Sequence, residues 1–585
     1  MKVLLSTLNA KFIHSSFAIK YLEAACKRGC PEITSKEYTI NNELLTIVSD
    51  IYSQRPQVVG LACYIWNIDM TLRLTALLKK VLPDVIIVLG GPEVSYDPAE
   101  IMQEHAYIDY IVQGEGEETL EALLIAIQSG APTHHIIGLS FRENEEIITG
   151  KAQVIGDVNT LPFPYCKEDI EKLKDKIIYY ESARGCPFSC SYCLSSATSG
   201  VRFFSLERVY QDLQFFIAHN VRQVKFVDRT FNARKEHYLP ILHFLAKQDC
   251  RTNFHFEIAA DILDDEVVEF LKEVPVGRFQ FEIGVQSTYE PTLKTISRKN
   301  NWVKIKEYVT KIISYGNIHV HLDLIVGLPQ ENYNQFGQSF NDAYHLKPHM
   351  LQIGFLKMLK GAGIRRTAEE YNYSFLDYAP YEVLSNNCLT YGEVRTLKIL
   401  EEMFNQVYNT GRFTCTLQYL VTLYSNDAFA FYHQLVTYWE EKELHLVAHS
   451  SKSLYKYILD FCWCYHPQEV SLVQEFMKFD ALLSDKGTLR PEVLPWNKEL
   501  WAKERNEFWG QQEQVTCYLP HYSFTTWRDI NKRYHIEVFA IDISEYLKSG
   551  HIVGKNTPIL FSYSEDTTNY QCLVQHDFFH SEVGL

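Results

Sequence analysis

The stretch 183–193, Ala-Arg-Gly-Cys-Pro-Phe-Ser-Cys-Ser-Tyr-Cys, places Cys186, Cys190 and Cys193 close together in the chain. Three thiolates at this spacing can hold three irons of a 4Fe-4S cluster, leaving the fourth iron open to a substrate or cosubstrate. A structural zinc site normally takes four ligands, and no further Cys or His follows at finger or ribbon spacing. Fourteen cysteines in 585 residues are too few for a disulfide scaffold. The spacing therefore indicates an iron–sulfur site.

The composition is typical of a globular protein with a full core, because 46% of the residues are apolar and 22% are charged. The net charge of -16 argues against general nucleic-acid binding, which needs clustered Lys and Arg. The apolar start is too short for a signal peptide, and no stretch approaches the ~18 uncharged apolar residues that span a bilayer. We expect a cytoplasmic protein without a membrane span.

The residues around the cysteines alternate between apolar strands and amphipathic helices. The predicted strands of this segment, 175–365, are 177–183, 223–228, 253–259, 278–284, 319–326 and 350–355. Six such strand–helix units predict a partial (β/α)6 barrel of the TIM type. Its chemistry is expected at the carboxyl ends of the strands, where the cysteines lie.

The segments on either side differ in character. Residues 1–150 contain continuous Val/Ile/Leu strands, such as 57–64 and 85–91, separated by helices. This pattern predicts an α/β doubly wound, Rossmann-like domain, joined to the barrel by a linker at 151–174. Residues 366–585 are rich in Tyr, Phe and Trp and are predicted to be mostly helical, with a strand-like tail that includes 514–520 (QVTCYLP) and 533–543 (RYHIEVFAIDI).

The cysteine motif resembles the radical SAM superfamily. The pattern C-x-x-x-C-x-x-C follows the first barrel strand and is preceded by Arg184-Gly185, as in that superfamily, and the resemblance spans nearly all of 175–365. It implies that S-adenosylmethionine chelates the open iron. It also implies that the reduced cluster cleaves this cosubstrate to methionine and a 5′-deoxyadenosyl radical. An electron donor such as flavodoxin or ferredoxin would reduce the cluster.

The same resemblance implies cosubstrate contacts at the ends of successive strands. The residues concerned are Asp228, Glu282, Gln286, Ser287 and Gly327. Four of them also have a purely structural alternative. Asp228 is equally suited to a helix cap, Glu282 and Gln286 to ordinary polar strand ends, and Gly327 to a simple turn.

The amino-terminal segment resembles the cobalamin-binding domain that precedes the barrel in one large radical SAM branch. The motif 90–93, Gly-Gly-Pro-Glu, follows an apolar strand, and 114–117, Gly-Glu-Gly-Glu, opens a helix. The resemblance implies that cobalamin is contacted by Gly90, Gly91, Glu93, Gly114 and Gly116. A tight strand–helix turn is the alternative role for the paired glycines.

One element of that branch is missing. Where cobalamin proteins that ligate cobalt through histidine carry D-x-H-x-x-G, this chain retains only His14, so we do not expect a histidine ligand. A cobalt without a lower nitrogen ligand is easier to reduce and releases a methyl group more readily. We hypothesise that Trp66 lies under the corrin and keeps that face dry. Packing in the domain core is its alternative.

The two signatures in one chain predict an enzyme with three cofactors: a 4Fe-4S cluster, S-adenosylmethionine and cobalamin. The expected reaction is methylation of an unactivated carbon in a small-molecule or peptide substrate, and no catalytic residue is assigned. Cobalamin-assisted rearrangement or cyclisation is one alternative, and a non-catalytic cobalamin or redox sensor is another. A methylthiotransferase normally has three further cysteines in its first domain, for which only Cys26, Cys30 and Cys63 are available. The carboxyl-terminal segment resembles a domain of unknown function.

Overall fold

The structure is a computed structural model that describes residues 1–144, 146–197, 200–497, 499–564 and 568–579. The chain forms two compact units, Met1–Val394 and Arg395–Leu585, and the division falls within α15 (Tyr391–Val407). In these described ranges, no helix has the length and hydropathy needed to cross a membrane.

The first unit opens with a mixed sheet and its helices. These elements are β1 (Val3–Asn9), α1 (Phe17–Cys26), β2 (Ile33–Thr39), α2 (Leu44–Gln54), β3 (Val58–Ala62), α3 (Ile68–Val81), β4 (Ile86–Gly90), α4 (Pro92–Ser95), α5 (Pro98–Glu104), β5 (Tyr110–Val112), α6 (Glu117–Ser129), β6 (Leu139–Glu143) and β7 (Glu146–Thr149). The strand order is β2-β1-β3-β4-β5-β6-β7. Strands β1 to β5 are parallel, and β6 and β7 pair antiparallel at one edge.

The central strands of this sheet are largely continuous apolar runs in the sequence because they are buried on both faces. Every residue of β1 and β3 is buried, because helices cover both faces. The strand order reverses between β1 and β3. In a doubly wound sheet the crevice for a ligand lies beyond the carboxyl ends of the two strands at such a switch point. The predicted doubly wound domain is confirmed, and the reversal locates its expected ligand edge.

A second set of strands and helices follows in the same unit. Its elements are α7 (Lys167–Lys172), β8 (Ile178–Tyr180), β9 (Ala183–Cys186), β10 (Gly200–Phe203), α8 (Leu206–Ala218), β11 (Gln223–Phe226), α9 (Lys235–Ala246), β12 (Asn253–Ile258), α10 (Asp265–Leu271), β13 (Phe279–Gln286), α11 (Glu290–Thr295), α12 (Trp302–Ser314), β14 (His319–Val326), α13 (Tyr333–Tyr344), β15 (Met350–Phe355), α14 (Gly363–Arg366), β16 (Ser374–Phe375) and β17 (Val383–Ser385). Strands β8, β11, β12, β13, β14 and β15 form one parallel sheet in this order. The predicted six-stranded partial barrel is confirmed.

The strands of this barrel alternate between buried and partly exposed residues. In β13 every second residue, from Phe279 to Val285, is buried, while Gln280, Glu282 and Gln286 are partly exposed. Strand β14 follows the same alternation. Because successive side chains of a strand point to opposite faces, the partly exposed set lies on the face away from the helices. The inner wall of the barrel is therefore polar along these strands.

The second unit is mostly helical. Beyond α15 it contains α16 (Thr414–Thr422), α17 (Ala428–Glu441), α18 (Ser451–Tyr465), α19 (Val470–Leu483), α20 (Ala502–Gly510), α21 (Gln512–Tyr518), α22 (Trp527–Arg533), β18 (Tyr534–Ile541), α23 (Ile543–Ser549), β19 (Gly554–Tyr563), β20 (Thr568–Cys572) and α24 (Gln575–Phe578). The strand predicted at 533–543 is confirmed by β18. The strand-like interpretation of 514–520 is wrong, because this stretch falls largely in α21. Short apolar runs do not separate helix from strand, and here the backbone bonds run from Val515 to Gln511 and from Leu519 to Val515.

Candidate active site

The three cysteines lie on the connection that follows the first barrel strand. Cys186 ends β9, which pairs antiparallel with β10, and the other two cysteines lie on the loop between these strands. Gly185 has a φ of +98°, and a Cβ atom at this position would overlap the carbonyl oxygen of Gly200. A glycine directly before the first cysteine is thus required by the close approach of the two strands.

Backbone hydrogen bonds hold the loop against two other parts of the barrel. The amide of Ser191 donates to the carbonyl of Ile296 at 2.9 Å, and the amide of Ile364 donates to the carbonyl of Ser191 at 2.8 Å. Ser191 lies between Cys190 and Cys193. The loop is therefore held on both sides close to these cysteines.

The cysteines suit a multi-iron cluster better than a single ion. Cys190 is buried, whereas Cys186 and Cys193 are partly exposed. Among the residues that the structure describes, one set of three His, Cys, Asp or Glu side chains is close enough to share one ion, and the cysteines are not in it. Each thiolate of a 4Fe-4S site binds its own iron, so the three sulfur atoms need not converge on one ion. The donor set therefore fits the predicted group.

Arg298 is a site residue that the sequence analysis missed. Its guanidinium donates to Sγ of Cys190 at 3.8 Å, to the hydroxyl of Tyr192 at 3.1 Å and to the carbonyl of Gly284. Burial raises the pKa of the Cys190 thiol, and the positive charge of Arg298 opposes that shift. The contact joins residues 108 positions apart, so no local spacing signals it. A fixed cation therefore lies beside the loop that follows Cys186 and carries Cys190 and Cys193, the cluster loop.

Asp228 supports the approach to the cysteines. Its two carboxylate oxygens accept hydrogen bonds from the amide of Ser182 at 2.9 Å and from the hydroxyl of Ser182 at 2.7 Å. Burial raises the pKa of Asp228 to about 7, against the effect of these bonds. The alternative of a helix cap is wrong, because the next helix begins at Lys235 and its N-cap is Arg234. Asp228 fixes the turn between β8 and β9.

Glu282 lies in a charged layer of the inner wall. Its Oε2 is 2.8 Å from Nζ of Lys225 and 3.0 Å from Nε2 of His255. Burial alone would raise the pKa of Glu282, but the contacts with His255 and Lys225 outweigh it and lower the pKa to about 2. Glu282 therefore carries a negative charge in the barrel.

Two buried polar atoms near the carboxyl ends of the strands lack hydrogen bonds. Within the described residues, Oε1 of Gln286 and Oδ1 of Asp323 have no partner. Gln286 also has a φ of +68°, at a bulge between β13 and β14. Burial next to the carboxylates of Glu282 and Glu257 raises the pKa of Asp323 well above its usual value. A buried polar atom without a hydrogen bond destabilises the folded chain. A bound molecule that forms hydrogen bonds with these two oxygens would therefore suit both of them.

Ser287 and Gly327 have partners within the chain. The hydroxyl of Ser287 donates to the buried carboxylate of Glu331 at 2.5 Å. The carbonyl of Gly327 accepts a hydrogen bond from the hydroxyl of Tyr373 at 2.8 Å, and Gly327 has a φ of +90°. Both residues therefore order the strand ends, and their contact with S-adenosylmethionine stays a prediction.

Trp66 lies at the switch point of the first sheet. Its indole nitrogen donates to the carbonyl of Leu8 at 3.1 Å, and its ring stacks on Tyr64 with centroids 4.5 Å apart. Leu8 is near the end of β1, and Tyr64 follows β3. Trp66 is 44% exposed, so the alternative of a core residue is wrong. A flat aromatic surface is available where a doubly wound sheet binds its ligand.

The predicted cobalamin glycines make close approaches inside the chain. Gly91 has a φ of +107°, and a Cβ atom there would overlap the carbonyl oxygen of Cys63. A Cβ atom at Gly114 would overlap the carbonyl of Gln153. Gly90 ends β4, and Gly116 precedes α6. Their contact with a nucleotide tail stays a prediction.

Glu93 and His14 also bind partners in the chain. The buried carboxylate of Glu93 accepts a hydrogen bond from the hydroxyl of Tyr381 at 2.8 Å, and burial raises its pKa. Nδ1 of His14 lies 2.6 Å from the hydroxyl of Tyr179 on β8. Both contacts join connections at the edge of the first sheet to residues that follow this sheet in the chain.

The first-domain cysteines lie on opposite faces of the sheet. Cys63 belongs to the core that contains Leu4 of β1, whereas Cys26 and Cys30 belong to the core that contains Leu5. Consecutive residues of a strand point to opposite faces. The sheet therefore separates Cys63 from the other two, which does not suit the second cluster of a methylthiotransferase.

Comparisons with known proteins match three parts of the chain. The family models are the B12 binding domain at residues 3–124, the radical SAM superfamily at 180–343 and a protein of unknown function, DUF4080, at 369–561. Together they follow the order that the sequence predicts.

Two curated relatives are methyltransferases. The chain is 30% identical over 328 residues to the cobalamin-dependent radical SAM methyltransferase TokK of Streptomyces tokunonensis, covering 52% of this chain and 47% of that protein. It is 30% identical over 306 residues to 2-(S-pantetheinyl)-carbapenam-3-carboxylate methyltransferase of Streptantibioticus cattleyicolor, covering 48% and 44%. The chain thus spans about half the length of these relatives.

Two solved structures share the fold. The cobalamin-dependent S-adenosylmethionine radical enzyme OxsB with aqua-cobalamin bound has a TM-score of 0.56 at 14% identity, covering 82% of this chain and 79% of that one. The radical S-adenosylmethionine methyltransferase TsrM from Kitasatospora setae, with cobalamin and a 4Fe-4S cluster bound, has a TM-score of 0.54 at 16% identity, covering 65% and 79%.

Proposed function

Because this chain belongs to the radical SAM proteins that carry a B12-binding domain, we propose that it is a cobalamin-dependent methyltransferase acting on an unactivated carbon. The supporting observation is that the cluster loop and the switch point of the first sheet belong to one compact unit. When bound, the cluster with S-adenosylmethionine supplies a 5′-deoxyadenosyl radical, and cobalamin supplies a transferable methyl group.

In this proposal, Cys186, Cys190 and Cys193 hold the cluster. Arg298 lies beside Cys190 and offers a guanidinium to the carboxylate of S-adenosylmethionine, a pairing that charge-assisted hydrogen bonds favour. The unpaired oxygens of Gln286 and Asp323 accept or share hydrogen bonds with the same cosubstrate or with the substrate.

The cobalamin part of the proposal rests on Trp66. Its exposed ring at the switch point would lie against the lower face of a bound corrin, where an indole offers no nitrogen lone pair to cobalt and would exclude water. Tyr64, stacked beneath it, holds the ring flat. Burial raises the pKa of Tyr64 to about 12, and the positive charge of Arg229 opposes this shift.

The substrate is a small molecule or a peptide, and a flavodoxin or ferredoxin supplies the electron. The polar inner wall, with Lys225, Glu282 and His321 partly exposed, suits a substrate with hydrogen-bonding groups. A purely apolar substrate would leave these groups unpaired in a dry site, which is costly.

The test compares two cysteine variants of the full chain, purified without oxygen and supplied with cobalamin, S-adenosylmethionine and a reductant. Cys190→Ala removes a cluster ligand, and Cys464→Ala removes an exposed thiol of α18. Iron, sulfide and cobalt are quantified per chain, and 5′-deoxyadenosine and S-adenosylhomocysteine are measured. We expect both products from the wild type and from Cys464→Ala, and neither from Cys190→Ala.

Two results would contradict the proposal. Formation of 5′-deoxyadenosine by Cys190→Ala would exclude the cluster assignment. Formation of 5′-deoxyadenosine by the wild type without S-adenosylhomocysteine, with cobalt bound and candidate methyl acceptors present, would exclude methyl transfer and favour rearrangement.

A further inference from the structure

Three potential metal ligands converge on the inner wall of the barrel, apart from the cluster cysteines. His255, Glu282 and His321 come from the adjacent parallel strands β12, β13 and β14. One ligand atom of each lies within 4.8 Å of the others. The rings of His255 and His321 are 5.7 Å apart between centroids and nearly perpendicular. Three neighbouring strands therefore bring one possible ligand atom each close enough to share one ion.

The environment of His255 indicates that this convergence is not ordinary core packing. The side chain is 6% exposed, and within the described chain its Nε2 makes no hydrogen bond of good geometry, although it lies 3.0 Å from Oε2 of Glu282. Barrel interiors at this depth are usually filled by branched apolar side chains. A buried imidazole nitrogen that lies beside a carboxylate without a well-formed hydrogen bond needs a partner, and a metal ion is one that its lone pair can bind.

We propose that His255, Glu282 and His321 bind one divalent first-row transition-metal ion, of the Zn²⁺ or Fe²⁺ type. Two imidazoles and one carboxylate are a donor set that such ions accept, and they leave at least one coordination position open. The amide group of Gln280 lies 3.1 Å from Nε2 of His321. Turned so that its oxygen accepts the Nε2 proton, this amide would orient the ring and leave Nδ1 of His321 for the ion. This proposal does not depend on the proposed function.

Lys225 competes with the ion for Glu282. Its ammonium lies 2.8 Å from Oε2 of Glu282, the same oxygen that His255 approaches, and 3.9 Å from Oε1 of Glu257. Without an ion, Lys225 balances the charge of Glu282. With an ion bound, repulsion between the two cations would weaken this contact, and Glu257 offers the ammonium a second carboxylate. Removing Lys225 should therefore strengthen ion binding.

The site lies deeper in the barrel than the cluster loop. Glu282 precedes Gly284 by two residues on β13, and the carbonyl of Gly284 accepts a hydrogen bond from Arg298, which contacts Cys190. Two residues of a strand span roughly 6.6 Å. An ion here would lie one layer below the cluster, with its open position toward the barrel interior. An oxygen or nitrogen donor of a bound molecule can complete its coordination.

The test measures metal affinity, so it is independent of enzymatic activity. The full chain carrying Cys186→Ser, Cys190→Ser and Cys193→Ser lacks the cluster ligands and is the parent. After treatment with a chelator, it is titrated with Zn²⁺ against a chromophoric competitor, and with Co²⁺ followed by visible absorption. His321→Gln is compared with His319→Gln, which removes a neighbouring histidine of the same strand outside the set. Circular dichroism and thermal unfolding check that both variants fold.

We expect one tightly bound Zn²⁺ per chain in the parent and in His319→Gln, and binding weaker by more than about tenfold in His321→Gln. The Co²⁺ spectrum should lack thiolate charge-transfer bands, since the ligands are nitrogen and oxygen. Equal affinity of the two histidine variants, or a thiolate spectrum, would overturn the proposal. Fe²⁺ titrated without oxygen shows which ion is preferred.

If His321→Gln does not fold, Lys225→Met provides the test of the proposed ion site. It leaves all three ligands in place and removes the competing ammonium, so it should bind Zn²⁺ more tightly than the parent. Unchanged or weaker binding in Lys225→Met would overturn the proposal, because the charged layer would then be a salt-bridge network without a metal.

Discussion

The guanidinium of Arg184 donates to the carboxylate of Glu117 at 2.6 Å, and this bond ties the strand that leads to the first cluster cysteine to the start of α6, which follows β5 of the first sheet. Arg184 also contacts Glu181 at 2.8 Å, and Arg202 of β10 binds Glu115 at 2.6 Å. Glu115 and Glu117 both belong to the Gly-Glu-Gly-Glu motif between β5 and α6, whose glycines are predicted to contact cobalamin. The two signature motifs are thus in direct contact.

Removing Arg184 should strongly destabilise the first unit. Arg184→Met leaves Glu117 and Glu181 without their cation, and both carboxylates are almost fully buried. Breaking such a buried pair costs about 3–5 kcal/mol. Urea unfolding of the full chain measures the loss. The control is Arg395→Met, which breaks a partly exposed pair with Glu440 in the second unit and should cost about 0–1 kcal/mol. Equal losses of unfolding free energy in Arg184→Met and Arg395→Met would contradict the role of Arg184 in a buried ion pair.

The sheets could be predicted because their strands are buried on both faces. Continuous apolar runs such as β1, β3 and β4 have no competing interpretation once helices lie between them. The sequence does not predict strand β2, because this strand lies at the edge of its sheet and contains exposed polar residues instead of a continuous apolar run. The hairpin of β6 and β7 was missed for a similar reason, since β7 is largely exposed. Local pattern therefore predicts central strands better than edge strands.

The site could be predicted only where its residues are close in sequence. The three cysteines lie within residues 186–193, and their spacing indicates the chemistry. Arg298 reaches Cys190 across 108 residues, and Tyr381 reaches Glu93 across 288. Such contacts depend on how the barrel closes over the first sheet, which no local pattern contains.

Trp66→His should change the absorption spectrum of bound cobalamin. If Trp66 covers the lower face of the corrin, an imidazole in its place can reach cobalt and add a nitrogen ligand, which alters the cobalt spectrum. The measurement is the visible spectrum of the anaerobically loaded full chain. Trp463→His, at an exposed position of α18, is the control and should leave the spectrum unchanged. An unchanged spectrum in both variants would exclude Trp66 from that face.

Arg298→Leu should make the cluster harder to reduce. The guanidinium beside Cys190 stabilises the more negative, reduced state, so its removal lowers the midpoint potential. A Coulomb interaction of about 2–4 kcal/mol in a protein interior corresponds to on the order of 100 mV. A redox titration followed by electron paramagnetic resonance measures the shift. Lys294→Met removes an exposed cation from the preceding helix and should shift the potential much less. Equal shifts would show that Arg298 has no special electrostatic role.

Glu331 should make the stability of the first unit depend on pH. Its carboxyl is fully buried, accepts hydrogen bonds from Ser287 and Ser339, and has a pKa raised to about 7 by burial, against an ordinary value of 4.5. The folded chain binds this proton more tightly than the unfolded chain does. The contribution of Glu331 to the free energy of unfolding is therefore complete below pH 4.5, and about 3 kcal/mol of it is lost as the pH rises to 7. Glu331→Gln keeps a neutral side chain at every pH. Urea unfolding of wild type and Glu331→Gln across this range should therefore show a smaller decline of stability with pH in the variant. Parallel curves for the two proteins would mean that Glu331 is ionised when folded.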